Sequence, residues 1–178
     1  PVQEKLKPRI ITTARSLWKI YFALTIMGIF LLKVFGMPLF EAICHSFGAI
    51  ATGGFSTKNA NIQAYQNWGI DMVITFLMFV GGINFVLHYQ LIKGNFRKVL
   101  TDSQLRFYSG LMLFALILVT INIYGRVYHD ILTSVRYALF QVVSINTATG
   151  YSTADFDAWP ALSRWILLIL MFIGGCTG

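Results

Sequence analysis

The chain has 178 residues, 56% hydrophobic and only 12% charged, with a mean hydropathy of +0.66 and a formal net charge of +7. A soluble domain carries about a quarter charged residues, so this composition excludes an ordinary soluble enzyme and points to a membrane-embedded chain. The positive charge does not argue for nucleic acid: residues 1–19 and 93–106 together hold nine basic and two acidic residues, and the remaining segments balance at five of each.

The N-terminus, Pro1-Val-Gln-Glu-Lys-Leu-Lys-Pro-Arg, is polar, shows no signal peptide and has no starting Met. With an apolar run severed at the other end, it predicts an excerpt of a longer protein. Leu17–Phe35 is the first long apolar run, interrupted only by Lys19 and Lys33 near its ends. At about 1.5 Å per residue it spans about 28 Å, enough for the hydrocarbon core. A short helix is predicted over Pro38–Ile50, with Pro38 suited to a first turn because its missing N–H would be unpaired there. It reaches only about 20 Å, too short to cross. The heptad Ala51-Thr-Gly-Gly-Phe-Ser-Thr57 and a polar loop, 56–68, follow. Ile70–Leu87 is the second run, with Asp71 at its edge; Thr75 and Asn84 are its main polar groups, and Asn84 is expected to bond between helices.

After the basic linker 93–106 the pattern returns. Tyr108–Ile123 is a third run, and Ile131–Ile145 reads as a second short helix with Asp130 as its N-cap. Thr147-Ala-Thr-Gly-Tyr-Ser-Thr153 follows, then a polar stretch, 152–164, and a fourth run that begins at Trp165–Ile173. Trp68, Trp159 and Trp165 stand where an interfacial aromatic belt is expected.

The two heptads align at an offset of 96: Gly54 matches Gly150, Phe55 matches Tyr151, and Ser56-Thr57 matches Ser152-Thr153. Each closes a short apolar helix lying between two longer runs. A Gly/Thr-rich strip at that place, used twice, reads as a re-entrant pore loop whose backbone carbonyls replace the water around a cation. A half-membrane helix aims its partially negative C-terminus at such a strip. Non-helical backbone at that depth is tolerated only beside protein or a water-filled cavity. Gly53, Gly54 and Gly150 are expected to supply the backbone twists, and the hydroxyls of Ser56, Thr57, Ser152 and Thr153 to hold the strips through nearby backbone groups. If the first three runs span, 1–16 and 93–106 share the cytoplasmic side by the positive-inside rule, and the strips enter from outside.

Other chemistries find no support. Gly48-Ala-Ile-Ala-Thr-Gly53-Gly54-Phe55 has phosphate-loop glycine spacing, but Gly54 stands where the lysine is needed. Cys44 and Cys176 make no disulfide framework or metal spacing, and His45, His88 and His129 are scattered, with structural or interfacial roles expected. An intramembrane enzyme would need facing polar groups that the spans do not carry.

The strips, their flanks and the ending Phe172-Ile-Gly-Gly-Cys-Thr-Gly178 resemble the Trk/Ktr/HKT superfamily of potassium transporters, nearest to the bacterial Trk-type pore subunit. Lys7-Pro-Arg-Ile…Ala14-Arg-Ser-Leu-Trp18, His45-Ser-Phe…Gly-Gly-Phe-Ser-Thr57 and Phe140-Gln-Val-Val-Ser…Gly-Tyr-Ser-Thr153 carry the likeness, which covers nearly the whole chain. The resemblance implies an all-α polytopic membrane protein with four M1–P–M2 units (helix, re-entrant loop, helix) in pseudo-fourfold array. This chain would supply the middle two: one over 1–92, a cytoplasmic linker over 93–106, and a second over 107–178, truncated in its last helix. It implies potassium as the transported ion, bound at carbonyls of Thr52, Gly53, Ala148 and Thr149, with Gly54 and Gly150 as filter glycines and a gating loop starting at Gly174 and Gly175. It further implies no cofactor, a lipid environment in a bacterial inner membrane, a homodimer and a cytosolic nucleotide-binding regulatory subunit. A sodium- and potassium-permeable relative and a non-conducting membrane scaffold are the alternatives, and channel, proton symport and sodium symport all stay open.

Overall fold

A computed structural model describes residues 2–174. Gly175 and Cys176, and with them the rest of the expected gating loop, lie outside the described residues. The fold is all-helical: α1 (Val2–Val34), α2 (Leu39–Ile50), α3 (Trp68–Gly81), α4 (Phe85–Ile92), α5 (Phe96–Leu100), α6 (Ser103–Ile123), α7 (Ile131–Asn146) and α8 (Ala161–Ile173), with 3₁₀ turns at Asn61–Tyr65 and Phe156–Ala158. The segments Ala14–Val34 and Ser103–Ile123 are long and apolar enough to cross a membrane. On α1 the exposed apolar residues Trp18, Phe22, Ile26, Phe30 and Val34 recur every fourth position. That spacing is one exposed face of a helix, while Ile20, Thr25 and Leu32 turn inward.

The repeat read from the sequence is a repeat of packing. Helices α1, α2 and α3 contact one another pairwise, and α6, α7 and α8 do the same. The two groups join chiefly where α3 lies on α7. Leu32, Ile74, Leu77 and Met78 are fully buried in the first group, and Val119, Ala138 and Phe140 in the second. Both short helices form where expected. Asp130 caps α7 by accepting from the Thr133 N–H at 2.9 Å, whereas Pro38 stands just outside α2, as its N-cap, with its carbonyl accepting from Ala42 N–H at 2.8 Å.

Three details differ from the sequence reading. The second apolar run is not one helix: it stops at Gly81, turns through Gly82 and Ile83, and restarts at Phe85. Asn84 makes no bond across helices among the described residues; its side chain accepts from the Val86 N–H at 2.9 Å and caps α4. An apolar tally cannot register such a break, because a cap residue costs one polar position in an otherwise hydrophobic run. Trp159 is no belt residue either, being only 2% exposed, whereas Trp68 and Trp165 are largely exposed at the starts of their helices.

Candidate functional site

Each short helix ends in the same way. Ala51 and Thr147 close α2 and α7 at near-identical dihedrals, φ −80° and −82°. The next residue turns left-handed, Thr52 at φ 50° and Ala148 at φ 56°, and two residues on so do Gly54 at 67° and Gly150 at 85°. The backbone bonds repeat one for one. Thr52 N–H donates to Ala49 O at 3.3 Å and Ala148 N–H to Ile145 O at 3.0 Å. Gly53 and Gly54 N–H both donate to Gly48 O (2.8 and 3.3 Å), as Thr149 and Gly150 N–H both donate to Ser144 O (2.9 and 3.3 Å). These are Schellman caps, which satisfy the orphan carbonyls of a helix end.

The caps have a directional consequence. With the strip N–H groups turned back to the helix, the carbonyls of Thr52, Gly53, Gly54, Ala148, Thr149 and Gly150 accept no hydrogen bond from any described residue. The very next carbonyls, of Phe55 and Tyr151, are both taken by hydroxyls. Each strip therefore offers three successive free carbonyls at the negative end of a helix. The two strips abut: a Cβ on Gly54 would lie 1.8 Å from the Thr149 carbonyl oxygen. Gln63 N–H also donates across to Ser152 O at 3.1 Å. Gly53, expected to provide a twist, does not need one; its φ is not positive, and Thr52 does the turning.

Polar side chains brace the strips from behind. In the first group the His45 ring contacts Glu41 O through Nδ1 (2.7 Å) and Ser56 Oγ through Nε2 (3.0 Å). Ser56 Oγ also accepts from Lys58 N–H at 3.1 Å. Glu41 pairs with Lys58 at 2.8 Å and accepts from the Tyr65 hydroxyl; the Lys58 and Tyr65 bonds hold its carboxyl below the ordinary glutamate value. In the second group Gln141 Nε2 donates to Ala154 O at 3.1 Å, and the Thr147 hydroxyl lies 2.7 Å from that of Thr149. Ser152 Oγ donates to Ala154 O at 3.2 Å, while the buried Thr153 hydroxyl has no hydrogen-bond partner among the described residues. Thr57 is exposed, and Gly174 ends α8 at φ 63°. The structural role expected of His45 is thus the support of strip one, whereas Gln141 was missed in the sequence; its position, 96 after His45, was the available signal.

Between the groups Arg136 of α7 grips Asp71 of α3, with Nε at 2.8 Å and Nη2 at 2.7 Å from the same carboxylate oxygen. Only Asp71 was noticed in the sequence, as an edge charge, because its partner lies 65 residues away.

A family model described as "TrkH: Cation transport protein" matches residues 2–178. The chain is 38% identical over 176 residues to a Trk system potassium uptake protein TrkH from Salmonella typhimurium, covering 98% of this chain and 36% of that protein. It is 32% identical over the same length to the Trk system potassium uptake protein TrkG of Escherichia coli. The solved structure of the potassium transporter TrkH from Vibrio parahaemolyticus superposes with a TM-score of 0.88 at 34% identity, over 95% of this chain and 37% of that one. The chain thus spans little more than a third of the length of these relatives.

Proposed function

Because this chain belongs to the TrkH family of cation transport proteins, we propose that its two strips form half of a potassium-selective filter in a longer membrane protein. The observation that carries this reading is the set of six unpartnered carbonyls, from Thr52–Gly54 and Ala148–Gly150, set side by side at two helix C-termini. A dehydrated potassium ion needs a cage of such oxygens, and a filter that binds weakly at several sites lets the ion leave again. Ion binding by carbonyls of this kind needs no side-chain acid or base. Two further units of the same kind complete the ring. The parent protein lies in a bacterial inner membrane as a homodimer on a cytosolic nucleotide-binding subunit; the mass and composition of the purified assembly check both partners.

Charge placement puts residues 1–16 and 93–106 in the cytoplasm and the two polar loops outside. An impermeant thiol reagent should label a single cysteine placed at Asn59 and spare one placed at Lys98; the reverse pattern would invert the topology.

The direct test of function is rubidium and sodium uptake into proteoliposomes holding the full-length protein. Gly54→Ser and Gly150→Ser each put a Cβ on a residue with positive φ, and at position 54 that Cβ runs into the Thr149 carbonyl. Both should discriminate less well between the ions, by roughly tenfold or more, since carbonyl geometry sets selectivity. Wild-type discrimination in both variants would remove the strips from the filter and favour a scaffold role.

A further inference from the structure

The carbonyl that follows the free triplet is tied back in both strips, but by different groups. In strip two the Ser144 hydroxyl donates to Tyr151 O at 2.6 Å. The residue matching Ser144 in strip one is Gly48, which has no hydroxyl. The matching carbonyl, of Phe55, accepts instead from the Tyr151 hydroxyl at 3.1 Å, and that hydroxyl also lies 3.4 Å from His45 O. The phenol reaches there because position 48 is empty: a Cβ on Gly48 would sit 2.3 Å from the Tyr151 hydroxyl and 3.5 Å from the Phe55 carbonyl. Tyr151 is only 1% exposed, wedged against the His45 ring at 5.7 Å between centroids. Its counterpart Phe55 is 85% exposed and has no hydroxyl to give.

We propose that Tyr151 is a positioning residue for the opposite strip: its hydroxyl stands in for the serine that position 48 lacks. Gly48 and Tyr151 are then a matched pair, as Ser144 alone is in strip two. Holding the Phe55 carbonyl back fixes the outer end of the Thr52–Gly54 ladder. A released carbonyl in this half-buried place would swing to find another donor or the ion itself, changing the number of oxygens the ion meets. The proposal rests on the filter reading and adds that strip two sets the shape of strip one.

The pairing makes a reciprocal test possible in the full-length protein. Tyr151→Phe removes one oxygen and leaves a ring that strip one already uses at the same position. Gly48→Ser alone pushes a side chain into the phenol. Each should lower rubidium-over-sodium discrimination in proteoliposomes by roughly three- to tenfold, the scale of one lost hydrogen bond, while still eluting as a single species. In Gly48→Ser/Tyr151→Phe the 2.3 Å clash with the hydroxyl is gone, leaving a 3.3 Å approach to the ring that a small shift relieves, and the new serine faces the Phe55 carbonyl as Ser144 faces that of Tyr151. Discrimination should return to within about twofold of wild type. Unchanged discrimination in Tyr151→Phe, or a double variant no better than the worse single, would overturn the proposal. Failure of the filter reading shows separately, as wild-type discrimination in the Gly54 and Gly150 variants. The pairing is then still read from thermal midpoints, where the double variant must exceed both singles.

Discussion

Thr52 and Ala148 hold left-handed backbone without being glycine. That conformation costs an ordinary L-residue about 1–2 kcal/mol, and more than most for a β-branched threonine. Strain of this kind survives where surrounding bonds over-determine the backbone, and here the two Schellman caps do so. Glycine at either site would relieve the strain but add unfolded-chain entropy of about 0.5–1 kcal/mol. Ala148→Gly should therefore stabilise the full-length protein by up to about 1 kcal/mol, read as a small rise in the thermal midpoint in detergent; a fall would mean that Ala148 is held there at no cost. The sequence drew attention to the two heptads that fold alike, because the match of Gly54 to Gly150 and of Phe55 to Tyr151 needs no structure. It placed the turns at Gly54 and Gly150 but gave another to Gly53 and missed Thr52 and Ala148, because glycine is the usual mark of positive φ and a strained threonine or alanine leaves none. It also could not reveal the Tyr151–Phe55 bond, since nothing in a linear pattern says which strip a phenol will reach.

At the level of elements, the lengths of the apolar runs located the four long segments and both short helices, since length and polarity alone separate a spanning helix from a half-membrane one. The break after Gly81 was hidden, and so was the Asp71–Arg136 pair that bolts α3 to α7. Asp71 is 2% and Arg136 19% exposed in their side chains, and breaking one side of such a pair leaves a charge with little water. Asp71→Asn should cost about 3 kcal/mol, the low end for a buried pair because Arg136 keeps some solvent. Asp71→Arg/Arg136→Asp should regain part of that loss. Thermal unfolding of the full-length protein with each variant reads both numbers; equal damage from the single and reversed variants would mean the pair does not join the two helices.

For the whole molecule the most informative feature is its asymmetry. A Cβ on Gly54 meets strip two, whereas one on Gly150 meets nothing within 4 Å. Tyr151 is buried against strip one, whereas Phe55 faces outward. Among the described residues the contacts between the two strips are thus one-sided: strip two packs on the glycine and the outer carbonyl of strip one, and nothing of strip one returns the contact at Gly150. Composition and the 96-residue offset were enough to read a membrane chain with two units built alike, and the structure packs α1–α3 and α6–α8 in that way. How the units face each other was not legible, because the contacts that join them lie between residues far apart in sequence. The central claim is that an ion sits among the carbonyls of Thr52–Gly54 and Ala148–Gly150. Crystals of the full-length protein soaked in rubidium should give anomalous peaks about 3 Å from those oxygens and lose them in sodium. Peaks elsewhere along the pore, or none at the strips while rubidium is transported, would contradict it.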